Sequence, residues 1–116
     1  MPWLRGTAHT AADSLDTDDL QPARAIRRAL ADGVMSARDV GLVAVHAVGP
    51  RARERAEHAV ARGLGRFAAG VATSFDDPAV ADRCVAAIAR GEVFAAVALT
   101  IDPVAGNLAL AFGRPR

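Results

Sequence analysis

The chain has no lysine, a single cysteine and few aromatic residues, and each shortage closes off a class of answer. With no second thiol there is no internal disulfide and no cysteine-rich metal site, so Cys84 fits a reducing compartment. With no lysine every basic side chain is an arginine, and the 14 basic residues nearly balance 13 acidic ones. A net charge of +1 makes no long-range field to gather nucleic acid or an anionic membrane surface. No segment approaches the ~20 apolar residues of a membrane span, and near the N-terminus Arg5 is followed by no apolar stretch long enough for a signal sequence. The expectation is a cytoplasmic protein with neither a nucleic-acid nor a membrane partner. Aromatics supply only 4% of a chain that is 52% hydrophobic, so alanine and valine must fill the core. Such a core is shallow and closely packed.

What is present suits one domain over residues 1–116, a length that buries roughly two thirds of the surface exposed on unfolding. Residues 3 to 8 alternate weakly and predict a short strand, followed by a polar loop from Asp13 to Asp19. Pro22 suits the first turn of a helix in which Ile26, Ala29 and Leu30 recur opposite Arg24, Arg27 and Arg28, and Gly33 is placed to end it. Val40 to His46 is an almost unbroken apolar run, the pattern of a parallel strand covered on both faces. Pro50 opens a second helix with Ala52, Ala56, Ala59 and Val60 on one stripe. Residues 66 to 74 read as a third strand, and Asp77-Pro78 as the cap and first turn of a third helix. Val93 to Ile101 and Asn107 to Phe112 then form an antiparallel hairpin across the turn chemistry of Asp102 to Gly106.

The resulting fold class is α/β, ordered β-α-β-α-β-α-β-β, with a mostly parallel five-stranded sheet ending in an antiparallel hairpin. Its third helix, Ala79 to Ala89, carries only Asp82 and Arg83 as polar residues. A helix apolar on nearly all sides calls for burial on all sides, and one sheet covers only one face. Val80, Cys84, Val85, Ala87 and Ile88 are therefore candidate interface residues, for a second copy or another protein. The alternative is that alanine-rich faces tolerate water because each alanine exposes little area.

The stretch from Ala25 to Val60 is similar to the C-terminal half of β-ketoacyl synthases, the condensing enzymes of fatty-acid and polyketide synthesis. In that family a helix resembling Ala25-Ile-Arg-Arg-Ala-Leu-Ala-Asp32 leads to an Asp and then to a strand ending in H-G-T-G-T. An Asp follows eight positions after the histidine and a Glu eleven after. Here Asp39 precedes His46 by seven positions, and Glu54 and Glu57 fall at the two later ones. His46 and Gly49 match the motif, whereas Ala47, Val48 and Pro50 replace its glycine and threonines. Gly6 and Asp13 upstream, and Ala86 to Gly91 downstream, extend the resemblance. It implies one thiolase-like repeat, in a fold where two repeats pack face to face with a helix from each between the sheets.

The same resemblance implies what is missing. Condensing enzymes use a cysteine nucleophile from the first repeat and two histidines with a lysine from the second. This chain lacks lysine, and where the family carries lysine and Gly-His it reads Val71-Ala-Thr-Ser-Phe-Asp-Asp-Pro78. Cys84 shares a helical face with Val80, Ala87 and Ile88 and is expected to be a small buried apolar group. His46 is the one candidate catalytic residue, against the reading of a structural histidine hydrogen-bonded to backbone. Glu54 and Glu57 sit among arginines and read as surface ion pairs. His9 and His58 lack spaced ligands, so no metal is expected, and Gly63, Gly65 and Gly70 form no phosphate loop, so no cofactor is.

The expected function is a non-catalytic β-ketoacyl-synthase-like accessory or structural subunit of polyketide or fatty-acid biosynthesis. Its partners would be a second copy or a condensing-enzyme subunit, with acyl carrier protein as a further one. The alternative is a small enzyme acting through His46 on a thioester or β-keto intermediate, by decarboxylation, cyclisation or hydrolysis.

Overall fold

The computed structural model describes residues 3–12, 20–75 and 79–114. The apolar run expected to be covered on both faces is strand β2 (Val40–Ala47), which lies inside a five-stranded sheet. Around it the chain builds β1 (Leu4–Thr10), α1 (Leu20–Asp32), α2 (Ala52–Leu64), β3 (Ala72–Phe75), α3 (Val80–Ala89), β4 (Ala95–Asp102) and β5 (Gly106–Gly113). The order β-α-β-α-β-α-β-β is the one expected. Across the sheet the strands run β1-β5-β4-β2-β3. β2 is parallel to β3 and β4, while β5 is antiparallel to both β4 and β1, so the last strand alone runs against the rest.

Side-chain alternation along the strands divides the core in two. Val43, Val45, Val97, Leu99, Ile101, Ala109 and Ala111 face α1 and α2, which contribute Ile26, Ala29, Leu30, Ala56, Ala59, Val60 and Leu64. Leu42, Ala44, Ala96, Ala98 and Phe112 face the other way and meet only α3, through Cys84, Ala87 and Ile88. Because the residues are small, the first layer closes by backbone approach. A Cβ added to Gly6 would lie 2.1 Å from the carbonyl oxygen of Ala29, and one added to Gly63 would lie 2.9 Å from Ile26 Cδ1.

Three local expectations change. Residues 66 to 70 do not extend into a strand: Gly65–Gly70 forms a 3₁₀ turn running on from α2, and β3 is confined to Ala72–Phe75. The physical reason is that Gly65, at φ +60°, breaks the helix and Ala68 tucks against the core, so local i→i+3 bonds such as Val71 N–H to Ala68 O replace a ladder. α1 ends at Gly33 as expected, but the left-handed residue there is Val34, φ 52°. Met35 N–H donates to Leu30 O and Val34 N–H to Ala31 O, the paired bonds of a Schellman cap. Gly33 is required for another reason, since its Cβ would stand 2.9 Å from Arg5 Cβ. Pro50 lies in the turn ahead of α2, and Arg51, itself left-handed at φ 57°, takes the N-cap position. The loop from Asp13 to Asp19 and the Asp77-Pro78 cap lie outside the described residues.

Candidate functional site

His46 stands near the C-terminal end of β2, on the face shared by Leu42 and Ala44 and hence by α3. Register carries the position across the sheet. His46 pairs with Thr100, Thr100 with Leu108, and Leu108 with His9. Directly opposed residues share a face, so these four side chains form one row on the α3 side of the sheet. The next row inward is Thr7, Leu110, Ala98, Ala44 and Ser74. Of the outer row Leu108 is 42% exposed, His9 is exposed, and Thr100 and His46 are half-buried. Three strand spacings separate His9 from His46, about 14 Å, so they are not a catalytic pair.

His46 Nδ1 is buried and makes no hydrogen bond among the described residues. Gly49 follows at φ +105°, against the β4–β5 turn, where an added Cβ would approach Pro103 Cγ to 3.1 Å. Val48 N–H donates to Ile101 O at 3.0 Å, which ties the same loop to β4. Gly49 thus answers a backbone requirement, and only His46 of the motif brings a reactive group to the row.

Glu54 and Glu57 do not join it. Glu54 accepts from Arg51 Nη2 at 2.7 Å and Nε at 3.0 Å, and those bonds hold its carboxyl below the usual carboxylate range. Glu57 pairs with Arg53 Nε at 3.3 Å, while the Arg53 guanidinium lies 4.3 Å over the Phe75 ring. Both pairs are exposed, so they dress the surface of α2. Among the described residues no three His, Cys, Asp or Glu side chains gather as metal ligands. No helix there is long and apolar enough to cross a membrane.

The interface candidates on α3 divide. Cys84, Ala87 and Ile88 are packed against the chain's own sheet, so they are not available to a partner in the way the all-round apolar pattern suggested. The reason is that 3.6-residue periodicity turns these three onto one face, leaving Val80 and Val85 half-exposed. Asp82, Arg83 and Ala89 are turned outward and exposed, and Ala86 is half-buried.

Sequence reasoning missed Asn107. It is fully buried at the start of β5, where Nδ2 donates to Ala11 O at 3.0 Å and to Thr10 Oγ1 at 3.3 Å, and Thr10 Oγ1 donates to Gln21 O at 2.7 Å. This chain of bonds latches β5 to the end of β1 and the start of α1. The only sequence signal was an amide at a strand position whose neighbours Ala109 and Ala111 face the core. His9 lies on β1, where its Nε2 hydrogen-bonds Ala105 O at 3.0 Å.

No protein-family model and no curated protein sequence matches the chain, and the relationship rests on solved structures. A 3-oxoacyl-[acyl-carrier-protein] synthase III from Aquifex aeolicus superposes with a TM-score of 0.75 at 12% identity, over 100% of this chain and 55% of that one. A β-ketoacyl synthase from Burkholderia phymatum gives 0.74 at 15% identity, over 97% and 37%. A type II polyketide synthase acyl-carrier protein in complex with its ketosynthase bound to the hexaketide gives 0.73 at 16% identity, over 97% and 38%. At these identities the likeness establishes a fold. The chain has the thiolase-like fold of β-ketoacyl synthases and spans from a little over a third to just over half the length of these structures.

Proposed function

We propose that a chain with this part of the β-ketoacyl-synthase fold serves fatty-acid or polyketide assembly by association, as a non-catalytic accessory or structural subunit. The observation that carries the reading is the inequality of the two sheet faces. Two helices seal one, whereas α3 leaves the row from His9 to His46, with Leu108 at its centre, open on the other. An exposed leucine on a part of the sheet that α3 does not cover suits a second layer of side chains. The first occupant we assign is a second copy of the chain, and the second is a condensing-enzyme subunit, with acyl carrier protein as the substrate-bearing partner. Solution mass together with pull-down against a condensing-enzyme subunit and an acyl carrier protein tests it. A monomer at high concentration that captures neither refutes it.

The orphaned Nδ1 of His46 favours one alternative, a small enzyme acting on a thioester or β-keto intermediate by decarboxylation, cyclisation or hydrolysis. An imidazole with an unused nitrogen can donate to a thioester oxygen or accept a proton. Comparing wild type with His46→Ala on malonyl and β-ketoacyl thioesters decides it, and equal rates remove the enzyme reading.

A further inference from the structure

At the end of the sheet away from His46, the start of β1, the approach to β2 and the end of β5 enclose a cleft of about 440 Å³. That volume is in the range of small-molecule sites. Arg5, Arg38 and Arg114 line it from three different segments, and Asp39 is the one carboxylate among the described residues of its walls. Counted over the described lining residues, three arginines against one carboxylate leave a formal surplus of two positive charges. Among the described residues neither Arg5 nor Arg38 holds an ion pair. Arg114 is fixed in place, its Nη2 donating to Ile88 O at 2.8 Å and its guanidinium lying 5.6 Å over the Trp3 ring.

The frame of the cleft is built at a cost. Gly33 lies flat against Arg5, and the chain then turns through Val34, a β-branched residue in the left-handed region with its side chain 90% exposed at the rim. Such a conformation is unfavourable for valine and persists only where its surroundings impose it. Phe94 also lines it and is 40% exposed. On the inner wall Gly113 makes room for Met35, whose Cε would be 2.9 Å from an added Cβ. The lining of the cleft thus combines arginines with exposed apolar side chains.

We propose that this cleft binds a phosphate monoester carrying a small apolar group. A monoester is close to a dianion at neutral pH and matches the surplus of two charges. Guanidinium forks bind its oxygens in pairs, and Val34 and Phe94 cover the apolar substituent. The site is separate from the His46 row and does not depend on the association reading.

Phenyl phosphate is the probe, titrated calorimetrically into the intact chain at low salt. The expected result is saturable one-to-one binding that weakens at least about tenfold in the Arg5→Gln/Arg38→Gln variant. Arg24→Gln, on the exposed side of α1, leaves it unchanged. Phe94→Ala weakens phenyl phosphate but not inorganic phosphate, which binds less tightly to the wild type. Both arginines and Phe94 are exposed, and a thermal melt of each variant verifies the fold. No saturable binding up to about 10 mM, undiminished binding by the double arginine variant, or equal affinity for inorganic and phenyl phosphate overturns the proposal.

Discussion

The two faces of the sheet are made of the same small residues and reach different ends. On the α1 and α2 side, alanine and glycine let backbones approach until Gly6 touches the carbonyl of Ala29 and Gly63 touches Ile26. On the α3 side, one ten-residue helix covers Leu42, Ala44, Ala96, Ala98 and Phe112, and the row beyond them stays open. An alanine-rich sequence seals a sheet when two helices share the work. With one, it leaves a surface for something else, and the contrast between the faces is the basis for the association reading.

The largest effect should come from disturbing the sealed face. Gly6→Ala drives a methyl into a backbone carbonyl, and we expect a loss of about 3 kcal/mol or failure to fold, read by urea denaturation. Thr7→Ala, one residue on and exposed on the open face, should stay within about 0.5 kcal/mol. If the two cost the same, the contrast between the faces is wrong. Ile88→Ala removes the anchor of α3 and should cost about 3 kcal/mol in the same assay, since its side chain is fully buried. A loss under about 1 kcal/mol would mean that α3 is not bound to its own sheet.

Smaller effects test the turns that frame the two faces. Val34→Gly relieves a left-handed valine and should stabilise by about 1 kcal/mol, measured as a raised denaturation midpoint. Asp102 accepts the Val104 and Ala105 N–H groups at 2.8 and 2.9 Å, and those bonds hold its carboxyl below its ordinary value. Its contribution is fully present above that ordinary value, near pH 4, and fades as pH falls through the lower folded value. Wild type should therefore lose slightly more stability than Asp102→Asn, which keeps a neutral acceptor, as pH falls below about 4. Parallel acid curves for the two would remove the turn's carboxylate from the account.

Much of the fold was legible because hydrophobic period is a local property. The run from Val40 gave β2, the stripe of Ala52, Ala56, Ala59 and Val60 gave α2, and Asp102 to Gly106 gave the hairpin. What escaped depends on partners distant in sequence. Gly33 carries the composition of a left-handed cap, yet its packing against Arg5 is what demands glycine, and the left-handed turn fell to Val34. Residues 66 to 70 have strand-like composition but meet no second strand. For the site, the motif residue His46 was found by resemblance. Its row with Thr100, Leu108 and His9 was not, because cross-strand neighbours follow from register rather than from spacing along the chain. The arginine cleft is built from three segments and had no local signature either.

The central claim is that the open α3 face is an association surface, and sedimentation of the intact chain beside Leu108→Asp tests it most directly. Leu108 is 42% exposed, so the variant should fold with little change in stability. The account predicts twice the mass of one chain for wild type and a single-chain mass for Leu108→Asp. A single-chain mass for both at every concentration reached, with no condensing-enzyme subunit or acyl carrier protein captured by the wild type, would contradict it.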